Sequence, residues 1–73
     1  MFNVLITYRE PNEVLTYERA TQAQAEKLVR AECKWENTVQ GVVVNEAGVQ
    51  VYGQDGDFTT MAILADHNLK TED

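Results

Sequence analysis

Two aspartates, Asp55 and Asp57, flank a glycine in the stretch GQDGDF and could supply oxygen ligands to a hard cation. A calcium loop of the EF-hand type also needs a third acid and a glycine at its fifth and sixth positions. Counted from Asp55, those positions hold Thr59 and Thr60. The pattern therefore fails. We expect no metal site and no cofactor here, and we interpret the stretch as a turn whose aspartates contact solvent or a partner.

The chain has one cysteine, Cys33, and one histidine, His67, and it has no serine. Cys33 falls at the margin of the apolar face of a predicted helix, where a buried and unreactive thiol is the usual state. His67 has no companion ligands for a transition metal. Cys33 could act as a nucleophile with His67 as its base, but the predicted burial of the thiol argues against this, so we predict that the protein is not an enzyme.

Glu32 is the most unusual acid in the sequence. On a helical wheel it falls near the centre of the apolar stripe, between Leu28 and Trp35. A carboxylate there costs free energy unless it is paired. The sequence leaves two main alternatives, a pair with Arg9 or Arg19 or a rotated stripe that exposes Glu32 to solvent; a catalytic acid is disfavoured because no second catalytic partner can be named.

The net charge of −6 is distributed unevenly along the chain. Residues 1–35 hold five acids and five bases, whereas residues 36–73 hold seven acids and one base, Lys70. A negative field argues against general binding to nucleic acid or anionic membranes and is compatible with a basic partner surface. The candidate partner-binding residues are Glu46, Asp55, Asp57 and Asp66.

Hydrophobic periodicity divides the chain into short elements. Thr21 and Gln24 match a capping box at the start of a strongly helical segment. NEAG, between two valine-rich runs, predicts a hairpin loop. The predicted elements are strands at 2–8, 14–19, 39–45, 49–53 and 58–64, a helix at 21–36 and a polar tail at 66–73. The segment 58–64 is ambiguous between strand and helix.

The element order β-β-α-β-β-β predicts a single α+β domain over residues 1–73, a two-layer sandwich of one antiparallel sheet and one helix. We expect Trp35 in the core with the helix leucine and valine. The other sheet face has no second helix to cover it. That face, which we assign to Leu5, Val14, Val43 and Tyr52, is either a tolerated semi-apolar surface or an oligomer interface.

The N-terminal stretch lacks the basic start of a signal peptide, and no segment has the apolar length of a membrane span. We therefore expect a cytoplasmic protein without membrane contact. No family motif is recognisable. As a class, acidic α+β domains of this size without catalytic residues resemble the small accessory and inhibitor proteins of phages and mobile elements, an analogy with little functional weight.

Three hypotheses follow for function. In the first, a protein-binding module docks its acidic C-terminal half on a basic host protein that handles nucleic acid. In the second, a structural or regulatory homo-oligomer, such as a homodimer, assembles through the open sheet face or an edge strand. In the third, which the net charge disfavours, the helix binds nucleic acid weakly through Lys27, Arg30 and Lys34.

Overall fold

The computed structural model describes residues 1–57, which form one antiparallel sheet and one helix. The elements are β1 (Phe2–Tyr8), β2 (Glu13–Arg19), α1 (Gln22–Glu32), β3 (Thr38–Val44) and β4 (Gln50–Asp55). The sheet order is β2-β1-β3-β4. The predicted α+β architecture is therefore confirmed. The strand predicted at 58–64 and the tail at 66–73 lie outside the described residues.

The core forms where α1 crosses one face of the sheet. Val4, Ile6 and Val43 contribute from β1 and β3, and all three are fully buried. The helix contributes residues four positions apart, which share one side of an α-helix and are also fully buried. These are Ala25, Val29 and the residue that caps the helix, Cys33.

Gly41 of β3 lets the helix approach the sheet closely. A Cβ atom at this position would lie 2.9 Å from both Ile6 Cδ1 and Val29 Cγ1, which is closer than packed carbons normally approach. The missing side chain is therefore part of how the helix fits on the sheet.

The predicted start of the helix is confirmed and its predicted end is wrong. Thr21 is the N-cap, and its hydroxyl accepts a hydrogen bond from the Gln24 amide at 3.2 Å. The helix ends at Glu32 instead of residue 36, and the Trp35 amide then bonds the Glu32 carbonyl in a tighter turn. Trp35 consequently leaves the predicted core and is 67% exposed.

β4 extends further than predicted. It continues through Gln54 and Asp55, which lie opposite Gly41 and Gln40 of β3. The interpretation of GQDGDF as a turn is therefore wrong for its first half, because those residues belong to a strand. The other strand limits differ from the prediction by one residue at most, apart from the extended end of β4.

The predicted β3–β4 hairpin is confirmed, and the side chain of Asn45 organises its loop. Asn45 Oδ1 accepts hydrogen bonds from the amides of Ala47 and Val49, both at 3.0 Å. Gly48 has a φ of +79°, in the left-handed region that glycine tolerates best. The loop therefore satisfies its own backbone.

A second asparagine, Asn37, holds the β1–β2 turn. Its side-chain amide donates to the Glu10 carbonyl at 2.8 Å, and its Oδ1 accepts from the Glu10 amide at 3.0 Å. The Arg9 amide also bonds the Asn37 carbonyl at 2.8 Å. The turn, which contains a cis Glu10–Pro11 bond, is thereby fixed against the segment that follows the helix.

Candidate functional site

The charged residues of the described chain separate by position along the strands. We call the end of the sheet where β1 and β4 finish the acidic end, and the other end, with the Asn45 loop, the hairpin end. The acidic end collects six acids and two bases: Glu10, Glu13, Glu32, Glu36, Asp55, Asp57, Arg9 and Lys34. The remaining charged side chains of residues 1–57 balance; one of them, Arg30, lies in the last turn of α1 next to this end, so the acidic end carries a net charge of −4, or −3 with Arg30 included.

Glu46 does not belong to this group, contrary to the predicted partner-binding set. It lies in the β3–β4 loop at the hairpin end, about 20 Å from Asp55 along the strands. Its carboxylate pairs with the N-terminal ammonium of Met1, and this contact lowers the pKa of Glu46. Asp66 lies outside the described residues. Of the three predicted residues within 1–57, Asp55 and Asp57 lie together and Glu46 lies apart from them.

Gly56 fixes the backbone between these two aspartates. Its amide donates to the Val39 carbonyl at 2.7 Å, and a Cβ atom there would lie 2.0 Å from the carbonyl oxygen of Thr38. The residue is buried, whereas Asp55 and Asp57 on either side are exposed. Both carboxylates thus project into solvent from a backbone that is held against β3.

Cys33 connects this segment to the helix. It is fully buried, its thiol donates to the Gln54 carbonyl at 3.6 Å, and its carbonyl accepts from the Asp57 amide at 3.0 Å. Burial raises the pKa of the Cys33 thiol, and the carboxylates of Asp57, Asp55 and Glu32 raise it further. The predicted burial is confirmed, and the thiol lacks the lowered pKa of an activated nucleophile.

Glu32 is half-buried, and its hydrogen-bond partner is a tyrosine where the sequence suggested an arginine. The hydroxyl of Tyr8 donates to Glu32 Oε1 at 3.2 Å and lies 3.3 Å from the hydroxyl of Tyr17. Burial, the hydrogen bond with Tyr17 and the Glu32 charge all raise the pKa of Tyr8. Tyr8 therefore stays neutral and serves as a donor that holds the carboxylate.

Trp35 is a candidate site residue that the sequence analysis assigned to the core instead. It follows Glu32 by one turn, and its carbonyl accepts from the Thr38 amide at 3.1 Å, which places it at the acidic end. Its exposure results from the early end of the helix. The available signal was the polar character of its neighbours, Lys34 and Glu36, which suits a surface segment better than a core helix.

The open sheet face differs from the prediction at two of four positions. Leu5 lies on the face opposite to the buried Val4, as predicted, and Val14 is 53% exposed. Val43 is instead fully buried beneath the helix, and Tyr52 packs against the same core.

The register explains both errors. Val43 lies opposite Val4 and Tyr52, so all three side chains point to the helix side, while Val42 lies opposite Leu5 on the open face. The run of three valines at 42–44 is apolar on both faces and gives no sign of which face is which. Register shifts next to Tyr8 and next to Val44 also prevent simple alternation along the strand from assigning residues to the two faces of the sheet.

The three basic residues proposed to bind nucleic acid, Lys27, Arg30 and Lys34, do not form one continuous row on the helix. Lys27 and Arg30 are exposed on α1, and Arg30 lies 3.5 Å from Glu26 in an i,i+4 ion pair. Lys34 follows the end of the helix and does not continue the stripe. Two cations, one of them paired, make a small site for nucleic-acid phosphates.

Within residues 1–57, no three His, Cys, Asp or Glu side chains are grouped so that they could hold a metal ion. The same residues contain no helix with the length and apolar character needed to cross a membrane. Comparison of the chain with protein-family models, curated proteins and solved structures found no match.

Proposed function

We propose that this protein is a small protein-binding module whose acidic end docks on a basic surface of a partner protein, such as a protein that handles nucleic acid. The observation that carries the proposal is the collection of the net negative charge of the described residues at one end of the sheet. Charge gathered in this way steers a basic partner and selects against acidic ones.

The position of these acids relative to the helix supports a binding role. Glu32 is the last residue of α1, and Asp57 bonds the carbonyl of the capping residue Cys33. A helix C-terminus carries a partial negative charge, so stability alone favours cations there. Arg30 in the last turn and Lys34 after the cap offset part of the repulsion between these acids and the helix terminus, and a cationic partner would relieve the rest.

Trp35 gives the acidic end an apolar contact group. A large aromatic side chain with 67% exposure is uncommon on a free surface, and tryptophan is enriched among residues that dominate binding energy. Its ring can also stack on an arginine guanidinium or receive a lysine ammonium on its face. The combination of Trp35 with nearby carboxylates matches arginine- or lysine-rich protein surfaces.

Affinity capture from the source cells with the full chain as bait tests this function. The informative variants are Asp55→Asn/Asp57→Asn and Trp35→Ala, which alter exposed side chains. Glu46→Gln is the matched control, because it removes a carboxylate at the hairpin end. We expect a basic partner to be retained by the unmodified chain and by the control, and to bind about tenfold or more weakly to the other two variants.

Salt dependence separates this proposal from apolar docking. Binding of the captured partner should weaken steeply as salt is raised for the unmodified chain, and less steeply for Asp55→Asn/Asp57→Asn. A partner that binds both with equal affinity and equal salt dependence would contradict the proposal.

A further inference from the structure

The outer edge of β2 is unusually well suited to pair with another strand. In the part of the chain that the structure describes, β2 has one neighbouring strand, β1, and the register between them runs from Glu13 to Arg19 without a shift. The strand contains no proline and no bulge, two devices that commonly blunt an edge. Val14 and Leu15 are 53% and 41% exposed on it.

The charges at the two ends of β2, Glu13 and Arg19, are complementary to those of the same strand reversed, while Glu18 falls opposite a valine. We propose that two copies of this chain pair antiparallel through β2, with the twofold axis at Thr16. Glu13 then lies opposite Arg19 of the partner subunit, Leu15 lies opposite Tyr17 of the partner subunit, and each contact occurs twice. Opposite charges and aromatic–aliphatic pairs are the cross-strand neighbours that stabilise an antiparallel ladder.

The faces of the sheet agree with this arrangement. Residues directly opposite each other share a face, and Leu15 and Tyr17 lie on the same face as α1, since they pair with Ile6 and Val4. The two subunits would form one eight-stranded sheet with both helices on the same side. A shallow groove beside this edge, lined partly by Leu28 and Ala31, would be covered by the second copy.

Neighbouring registers are less favourable. Centring the pair on Leu15 places Arg19 opposite Pro11 of the partner subunit, and centring it on Tyr17 places Glu13 opposite Thr21 of the partner subunit. Each shift loses both ion pairs and shortens the ladder. The Thr16 register is the one that uses all seven residues of the strand.

A charge-swap series tests the inference on the full chain by sedimentation equilibrium from micromolar to millimolar concentration. Glu13→Arg and Arg19→Glu each place like charges opposite one another in both contacts, and each should raise the dimer dissociation constant by about tenfold or more. The double variant Glu13→Arg/Arg19→Glu restores opposite charges and should recover dimerisation. Recovery in the double variant cannot be explained by a folding defect of the single ones.

Cysteine cross-linking tests the register. Thr16→Cys brings two thiols together on the twofold axis and should form a disulfide-linked dimer under mild oxidation. The matched control is Val14→Cys, whose two copies would lie about 13 Å apart, too far for a disulfide. A monomer at millimolar concentration, or equally fast cross-linking at both positions, would overturn the proposal.

Discussion

The two ends of the sheet differ in how they treat charge. At the hairpin end, the carboxylate of Glu46 meets the N-terminal ammonium, and Asn45 satisfies the amides of its own loop. At the acidic end, Asp55, Asp57 and Glu32 surround a buried thiol and a helix C-terminus. The hairpin end pairs the carboxylate of Glu46, whereas the acidic end collects six acids against two bases.

This difference separates structural residues from candidate functional ones. A charge with a partner inside the molecule is explained by folding, but a like-charged group at the negative end of a helix is not. Proteins commonly accept such local conflicts where another molecule binds. The acidic end is therefore the region where a function for the described residues is best sought.

The largest expected effect on the free energy of unfolding comes from substituting a glycine, which we compare at the two ends of the sheet. Gly56→Ala places a Cβ atom 2.0 Å from the Thr38 carbonyl, so the backbone must move and the Gly56–Val39 hydrogen bond is lost. We expect the free energy of unfolding, measured with urea, to fall by about 3 kcal/mol or more.

Gly48→Ala at the hairpin end is the matched comparison. Nothing lies within 4 Å of its added Cβ atom, and only the positive φ opposes the substitution, so we expect a loss of about 1 kcal/mol. Equal losses at the two glycines would show that Gly56 is not held against β3 in the way described.

The second largest expected effect is the dependence of the free energy of unfolding on pH, which has opposite signs for the groups at the two ends. The raised pKa of Cys33 means that the unfolded chain loses this proton first, so stability is complete below the ordinary value of 9.0 and falls above it. Between pH 9 and pH 10 we expect Cys33 to contribute a slope of up to about 1.4 kcal/mol per unit, and the raised pKa of Tyr8 adds a fall of the same sign as the unfolded tyrosine begins to ionise toward pH 10.

Two variants test which residue causes the loss of stability at alkaline pH and which causes the loss at acid pH. Cys33→Ala should make the alkaline fall in urea stability between pH 9 and pH 10 shallower and leave the part that Tyr8 contributes, whatever its stability at neutral pH. The lowered pKa of Glu46 acts with the opposite sign, because its contribution is present above the ordinary carboxyl value and is lost as the pH falls. Glu46→Gln should therefore flatten the acid part of the pH dependence, and an unchanged acid part in that variant would contradict the comparison.

Local patterns predicted most of the fold. Alternation defined β1 without error, the Thr21–Gln24 pair located the start of α1, and NEAG located the hairpin. The end of the helix was less predictable, because Lys34, Trp35 and Glu36 are all compatible with a helix. The chain leaves the helix there in order to enter β3, which is a tertiary effect that a helical wheel does not contain.

The candidate site was predicted only in part. The sequence located an excess of acid after residue 35, but pairing of strands decides which acids become neighbours. Antiparallel pairing separates Glu46 from Asp55 and brings Glu32 of the helix close to the Asp55–Asp57 segment. Distance along the chain carries no information about such grouping, so a charge count by halves could not anticipate it.

The smallest expected effect is electrostatic and directly tests the difference in charge between the acidic end and the hairpin end. Asp55→Asn/Asp57→Asn removes like charges near the helix C-terminus, so we expect the free energy of unfolding at low ionic strength to rise by about 0.5 kcal/mol. The value is small because both side chains are exposed and screened by water. Glu46→Gln removes a paired charge, and we expect the opposite sign.

The dependence on salt concentration shows whether these two changes in stability are electrostatic. Screening should shrink both differences, so urea curves of the three proteins should converge as sodium chloride is raised toward molar concentration. A double variant that is less stable than the unmodified chain at low salt would mean that the two aspartates stabilise the fold. The acidic end would then be a structural feature like the hairpin end, and the electrostatic argument for partner binding would lose its basis.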